Sequence, residues 1–203
     1  MTTVTSKLEA VNVMLTSIGE SPVNTITSST TTDVSIAIQI LDNVSREVQS
    51  VGWHFNSDTN YKLSKNTDGE VELPSNALRV DNSNKDADKD LVERNRKLWD
   101  RENHTFIINK DIRVDITWYL EFIELPETAR RYITIRAARI FQDRMLASET
   151  LHAFHQIDEL QALSALKEHE GDTRDHSIFD NYSTYRVIDR DNFQPMKTTI
   201  TDE

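Results

Sequence analysis

The sequence predicts an α+β fold: a helical bundle built from N-terminal and C-terminal helical hairpins, with an inserted small antiparallel β domain and an extended C-terminal arm. Three observations predict it. Apolar residues recur every three to four positions before residue 52 and again after residue 126. Between those limits the period falls to two, most clearly over residues 111–122. The only glycines, Gly19, Gly52, Gly69 and Gly171, stand where a pattern stops. The chain thus divides into a helical hairpin at 1–52, a β domain at 53–125, a second hairpin at 126–171 and an arm at 172–203.

In the first helix Leu8, Val11, Leu15 and Ile18 share one face. Gly19 follows them in the position that favours a left-handed backbone just past a helix, and Pro22 keeps the helix from resuming. A second helix starts at Thr32 or Asp33, either of which can cap free N–H groups. Val34, Ala37, Ile38, Leu41, Val44 and Val48 form its stripe, and Gly52 ends it. The polar stretch at 25–32 is the loop of the hairpin.

In the β region, Tyr61 and Leu63 on one side and Val71 and Leu73 on the other flank "NTDG", a tight-turn signal. Ile112, Val114, Ile116, Trp118, Leu120 and Phe122 alternate with mostly polar partners, as in a strand with one buried face. "TFIIN" at 105–109 is placed to pair with that strand through a turn at Lys110. The polar stretch at 81–90 reads as a solvated loop.

Helical spacing returns after Pro126, which suits a first turn. Ile133, Ala137, Ile140 and Phe141 form a face, with Arg136, Arg139 and Asp143 opposite. A break near Ala147 places Ser148 as N-cap of a last helix running to Gly171. Its apolar residues, Leu151, Phe154, Ile157, Leu160, Leu163 and Leu166, recur every three positions, and at about 100° per residue they drift around the helix. Such a helix has more than one side to cover. Burial at the centre of its own bundle is the expectation, with a second contact on a neighbouring subunit as the alternative. Beyond Gly171, Phe179, Tyr182, Tyr185 and Phe193 mark an arm that lies along its own domain or another chain.

Composition bounds the function. A chain of 203 residues is ample for a buried core. A net charge of −11 argues against gripping DNA phosphates. With no cysteine, disulfides, zinc–thiolate sites and thiol catalysis are excluded. The N-terminus lacks the basic and apolar regions of a secretory signal, and no apolar run is long enough for a membrane span. A soluble protein without a membrane anchor is expected.

No chemical constellation stands out. Glycines too far apart for a phosphate loop exclude that motif. His152, His155 and Glu159 share one side of a helix at metal-like spacing but lack a fourth ligand, and no metal site is expected. "DADKD" at 86–90 opens like a calcium loop, but Leu91 and Lys97 occupy the positions that need glycine and glutamate. Glu121 and Glu124 form a carboxylate pair of a kind that chance supplies in so acidic a chain. Arg130, Arg131, Arg136, Arg139 and Arg144 crowd residues 126–147. Pairing with acidic faces of neighbouring helices is the expectation; an acidic partner or a second subunit is the alternative.

"AVNVMLTSIGESPVNTI" at 10–26 and "VQSVGWHFN" at 48–56 closely resemble the tail tubular protein A family of short-tailed bacteriophages. "ELPETARRYITIRAARIFQDRM" at 124–145 resembles its third signature. Ala10, Val11, Asn12, Ser17, Ile18, Gly19, Glu20, Pro22 and Val23 carry the first match; Gln49, Ser50, Gly52, Trp53, Phe55 and Asn56 carry the second. The resemblance gives Gly19, Glu20, Pro22, Gly52, Trp53, Phe55 and Pro126 structural roles in the family motifs. It implies a virion protein of the tail, assembled in the host cytoplasm, that forms a ring, typically of twelve copies. The ring would join the portal protein to the tail nozzle (tail tubular protein B), take tail fibres at the junction, and extend the channel that retains and passes genomic DNA. It implies no cofactor, no metal and no catalytic residue. Candidate subunit or portal contacts are Arg131, Arg136, Phe179, Tyr182, Tyr185 and Phe193.

An acidic channel wall suits a protein that guides DNA without holding it. Two other readings compete. A polysaccharide hydrolase acting on the host envelope would need two positioned carboxylates and exposed platforms from Trp53, Trp99 or Trp118, and alternation puts Trp118 on the buried face. A small acidic DNA mimic has no need of the β insertion.

Overall fold

The computed structural model describes residues 4–27, 31–83 and 90–173, and the fold is mixed α+β. Its helices are α1 (Lys7–Ser17), α2 (Thr32–Gln49), α3 (Glu127–Leu146) and α4 (Glu149–Thr173); its strands are β1 (Ser57–Leu63), β2 (Ala77–Asn82), β3 (Leu91–Arg94), β4 (Lys97–Asp100) and β5 (Ile112–Trp118).

Local chemistry sets the helix ends. Ser6 caps α1 by accepting the Glu9 N–H at 3.2 Å. At the other end Glu20 N–H reaches the Leu15 carbonyl at 3.0 Å and Gly19 N–H the Thr16 carbonyl at 3.1 Å. With Gly19 at φ +84° this is a Schellman closure, as the glycine–proline punctuation leads one to expect. Thr31 precedes α2, which begins at Thr32. Pro126 sits one position ahead of α3, as its cap residue, and its carbonyl accepts the Arg130 N–H at 3.0 Å. Ala147, left-handed at φ +50°, ends α3. α4 runs two residues past Gly171.

The centre of the helical layer is α3. It packs against α1, α2 and α4, and it buries Ala129, Tyr132, Ile133, Ala137, Ala138 and Phe141. The three alanines let neighbouring backbones approach closely. This overturns the expectation that the last helix is the central one. α4 packs chiefly on α3 through Ala162, Leu163 and Leu166, while Phe154, Ile157 and Leu160 face outward. The side chain of Leu151 lies outside the described set. Val34, Ala37, Leu41, Val44 and Val48 of α2 join the same core, as does Ile40, which the expected stripe omits.

A second buried cluster is made by Leu63, Val71, Leu73, Ala77, Leu91, Leu98, Ile108, Ile112, Val114 and Ile116. Its main sheet is antiparallel with order β1-β5-β2, so residues 112–118 form the middle strand. The expected strand at 111–122 stops at Trp118. Leu120 and Phe122 continue the alternation in sequence but pack against the helical core, Phe122 through a short 3-10 turn, Phe122–Glu124.

The "TFIIN" segment does not pair with β5. Ile108 and Asn109 donate to the Gly69 carbonyl, and Glu70 bridges Ile107. Both edges of β5 are already taken by β1 and β2, which leaves it no free hydrogen bonds for a third neighbour. The "NTDG" turn forms, with Asn66 N–H on the Glu70 carbonyl at 2.7 Å. Its second arm then leaves β1 after one bridge, Lys65 to Val71, and hydrogen-bonds the β3–β4 hairpin through Leu73 and Leu98. Position 90 borders β3, and residues 84–89 of the expected loop at 81–90 lie outside the described residues.

Candidate interaction surface

Two side-chain amides fix loops to helices in the same way. Asn12 Nδ2 donates to the Val23 carbonyl at 3.0 Å, and its Oδ1 accepts the Val23 N–H at 2.8 Å. Gln49, wholly buried, donates from Nε2 to the Leu120 carbonyl at 3.0 Å and accepts the Leu120 N–H at 2.8 Å. Each amide imitates a strand neighbour and satisfies a loop residue that has none. Asn56 completes the junction, donating to the carbonyls of Gln49 at 2.9 Å and Trp118 at 2.8 Å. Its Oδ1 accepts Trp53 N–H at 2.8 Å, and the Trp53 indole N–H donates to the Val48 carbonyl at 2.7 Å.

The residues of the first motif therefore close the end of α1, while those of the second build the joint between helices and sheet. Gly52, at φ +83°, lets α2 turn into it. Phe55 stacks on Trp53, ring centroids 6.4 Å apart, and packs against the helical core. Pro22 and Glu20 are exposed, and Glu20 contributes through its backbone N–H.

The arginine-rich helix is paired mostly inside the chain. Arg130 is buried and donates to the carbonyls of Leu125 at 2.8 Å and Thr5 at 3.0 Å. Arg139 meets Glu159 at 2.5 Å and Asp143 at 3.2 Å. Arg136 meets Glu47 at 2.5 Å, Glu159 at 3.5 Å and the Tyr132 hydroxyl at 3.0 Å. The hydrogen bond that Arg139 donates to Glu159 holds its pKa above the ordinary value despite burial. Burial works against the charge of Arg136, but the Tyr132 hydrogen bond and the charges of Glu47 and Glu159 lift its pKa as well. Arg131 and Arg144 are exposed. Of the expected contact residues, Arg131 thus faces solvent and Arg136 is engaged internally; Phe179, Tyr182, Tyr185 and Phe193 lie outside the described residues.

The same pairs account for the metal-like spacing on α4. His152 Nδ1 lies 2.9 Å from Asp143, and Glu159 is taken by two arginines. Among the described residues no group of three or more histidines and carboxylates is placed to hold a metal ion. The Glu124 carboxylate accepts the Glu121 N–H at 2.9 Å, which makes that carboxylate pair a turn cap. Trp53 is buried, and Trp99 and Trp118 are half-buried, the latter donating to Asp58 at 2.8 Å. Trp118 therefore lies less deep than the strand alternation suggests.

The outward face of α4 is the conspicuous surface. Phe154, Ile157 and Leu160 are 63%, 55% and 58% exposed. At about 100° per residue they lie on the side opposite Ala162 and Leu166. A shallow pocket of about 400 Å³ opens beside Ile157 and Leu160. On the flank of the same helix, Leu163 and Lys167 border a second, mostly apolar pocket of about 220 Å³ with Val51, Trp53, Tyr132 and Arg136. Apolar residues thus stand on two opposite sides of α4, one packed on the bundle and one open. Drift in the three-residue spacing signals this in the sequence; the side that stays open is not legible there. Val51, 63% exposed beside the motif glycine, carries no sequence signal.

Among the described residues no helix is long and apolar enough to cross a membrane. The model of a family described as "Tail tubular protein" matches residues 8–176 of the chain. No curated protein matches it.

Proposed function

Since the chain belongs to the tail tubular protein family, and is thereby a structural component of a phage tail, we propose that it is the adaptor ring between the head portal and the tail nozzle. The observation that carries this reading is the open apolar face of α4, formed by Phe154, Ile157 and Leu160. In this reading the face meets a different surface of the next copy, not the same patch on a two-fold mate. Contacts between two different surfaces repeat from copy to copy and close into a ring where the rotation between copies closes. In this proposal the helices pack side by side around the ring, with α4 against the next subunit and Arg131 and Arg136 at that boundary or the portal's.

Residues 1–52 and 126–171 are then the two hairpins of one bundle, residues 53–125 the inserted β unit, whose ends are anchored in the bundle core through Trp53, Phe55, Leu120 and Phe122, and residues 172–203 an arm that reaches a neighbour or the portal. The nozzle binds below, tail fibres dock at the junction, and genomic DNA passes through an acidic lumen without being held. Only side chains within a Debye length, about 10 Å, of the DNA act on it. The ring is a component of the virion tail, assembled in the host cytoplasm.

Native mass spectrometry of the purified protein, alone and mixed with the portal protein of the same phage, tests the proposal. A closed ring, or a monomer that forms one on the portal, supports it. A monomer indifferent to the portal overturns it. Removing residues 172–203 tests the arm: rings that still form and still dock would rule the arm out as a contact.

A further inference from the structure

Away from α4, a cleft of about 450 Å³ lies between α2 and the start of β2, lined by Arg46, Arg96, Tyr119, Ser75, Asn76 and Leu78. Two cations bound it in a chain whose net charge is −11. Among the described residues neither is met by a carboxylate at hydrogen-bonding distance, though Arg96 keeps a long ion pair with Glu93. The Arg46 guanidinium lies over the Tyr119 ring, 5.9 Å from its centroid. Arg96 donates to the Ala77 carbonyl at 3.0 Å and to the Pro74 carbonyl, with its nearest acid, Glu93, at 3.8 Å.

The backbone beneath Arg96 adds an independent sign. Asn95 and Arg96 are the two-residue turn of the β3–β4 hairpin, both left-handed at φ +52° and +59°. The second central position of such a turn favours glycine. An arginine there accepts an unfavourable backbone to put its side chain across the cleft. Tyr119 stays protonated, its pKa raised by burial and then by the nearby charge of Asp42. Asp42 itself is held by Lys7 at 2.6 Å, and Glu121 is the other acid acting on the ring.

We propose that this cleft docks an acidic peptide segment of a partner protein, its carboxylate received by Arg46 and Arg96. Arginines fixed in orientation suit bidentate carboxylate recognition, since little freedom remains to be lost on binding. The cleft is formed within one subunit and stands whether or not the ring assembles, so its failure and the failure of the adaptor reading are separable.

The test is fluorescence anisotropy of the full chain with a labelled oligo-glutamate peptide, its oligo-glutamine counterpart and a short DNA duplex as competitor. Wild type should bind the glutamate peptide in preference to the glutamine one. Arg46→Gln should weaken that binding roughly tenfold, the worth of one charge-assisted hydrogen bond, with the melting temperature unchanged. Arg101→Gln, remote from the cleft and paired with Asp90, should leave binding as it is. Equal losses in both variants, or no preference for glutamate, would overturn the proposal. So would a duplex that competes as well as the peptide, since it assigns the cleft to phosphate.

Discussion

Gln49 and Leu120 are 71 positions apart in the chain, yet the side-chain amide of one makes both backbone hydrogen bonds of the other, at 3.0 and 2.8 Å. That contact ties the last turn of α2 to the segment leaving β5. It is where the helical core meets the sheet. Truncating Gln49 to Ala orphans the Leu120 N–H and carbonyl, and an orphaned buried group costs about 1–3 kcal/mol. Q49A should therefore lower stability by about 3 kcal/mol, read as a lower urea midpoint with an unchanged slope. A cost below about 1 kcal/mol would mean that water takes over the bonds and the clamp is dispensable.

The motif glycines should separate by their surroundings. An added Cβ at Gly19 meets nothing within 4 Å, so Gly19→Ala costs only the left-handed backbone, roughly 1–2 kcal/mol. At Gly52 the same carbon would come 3.2 Å from Thr117 Oγ1 and 3.4 Å from Ser57 Oγ. Gly52→Ala should be the more damaging of the two in thermal unfolding. The reverse order would show that the joint gives way more easily than the Schellman closure.

These elements show what the chain discloses by itself. The end of α1 is legible because every partner in its closure lies within a few residues of Gly19. Gln49 and Asn56 stand in a recognisable motif, but their partners, Leu120 and Trp118, are distant in sequence, so only the fold reveals their task. β2 and the β3–β4 hairpin escape notice because each is short and gives too few alternations to establish a period of two. "TFIIN" misleads for a related reason. Its apolar pattern fits a neighbour of β5, yet β1 and β2 already occupy both of that strand's edges. The arginines of α3 are visible as a cluster, whereas their mates Glu47 and Glu159 are carried by other helices.

Glu159 lies between Arg136 and Arg139 with its side chain 13% exposed. Glu159→Gln leaves two half-buried cations without their shared anion. Full burial would make that loss several kcal/mol; the partial exposure of both arginines reduces it to about 1–2 kcal/mol. A double-mutant cycle with Arg139→Met should recover part of it. Strict additivity in chemical denaturation would mean that the pair contributes nothing beyond its separate members.

Acid should loosen the N-terminal segment. Glu127 accepts from the Thr5 hydroxyl and from the Thr5 N–H, the latter at 3.0 Å, and the hydroxyl bond is the main cause of a pKa below the ordinary carboxylate value. Such a group binds fewer protons folded than unfolded, so its contribution is fully present above about pH 4.3 and is lost as pH falls through the folded value. Stability curves of wild type and Glu127→Gln should therefore differ at neutral pH and converge in acid. Parallel curves would show that the contact does not persist in solution.

The two sides of α4 give the sharpest contrast. Leu166 is fully buried against the bundle, and Leu160, six residues earlier, is 58% exposed on the outer face. Leu166→Ala should cost about 2–5 kcal/mol, the range for emptying a packed leucine site. Leu160→Ser removes little packing within the subunit and should change its melting temperature little. Should the outer face meet the next subunit of a ring, Leu160→Ser combined with Ile157→Ser would shift the protein toward monomer in native mass spectrometry, while Leu166→Ala would assemble as far as it folds. Two outer-face substitutions that left assembly untouched would remove α4 from the subunit contact and send the search to the pocket at Val51 and Leu163.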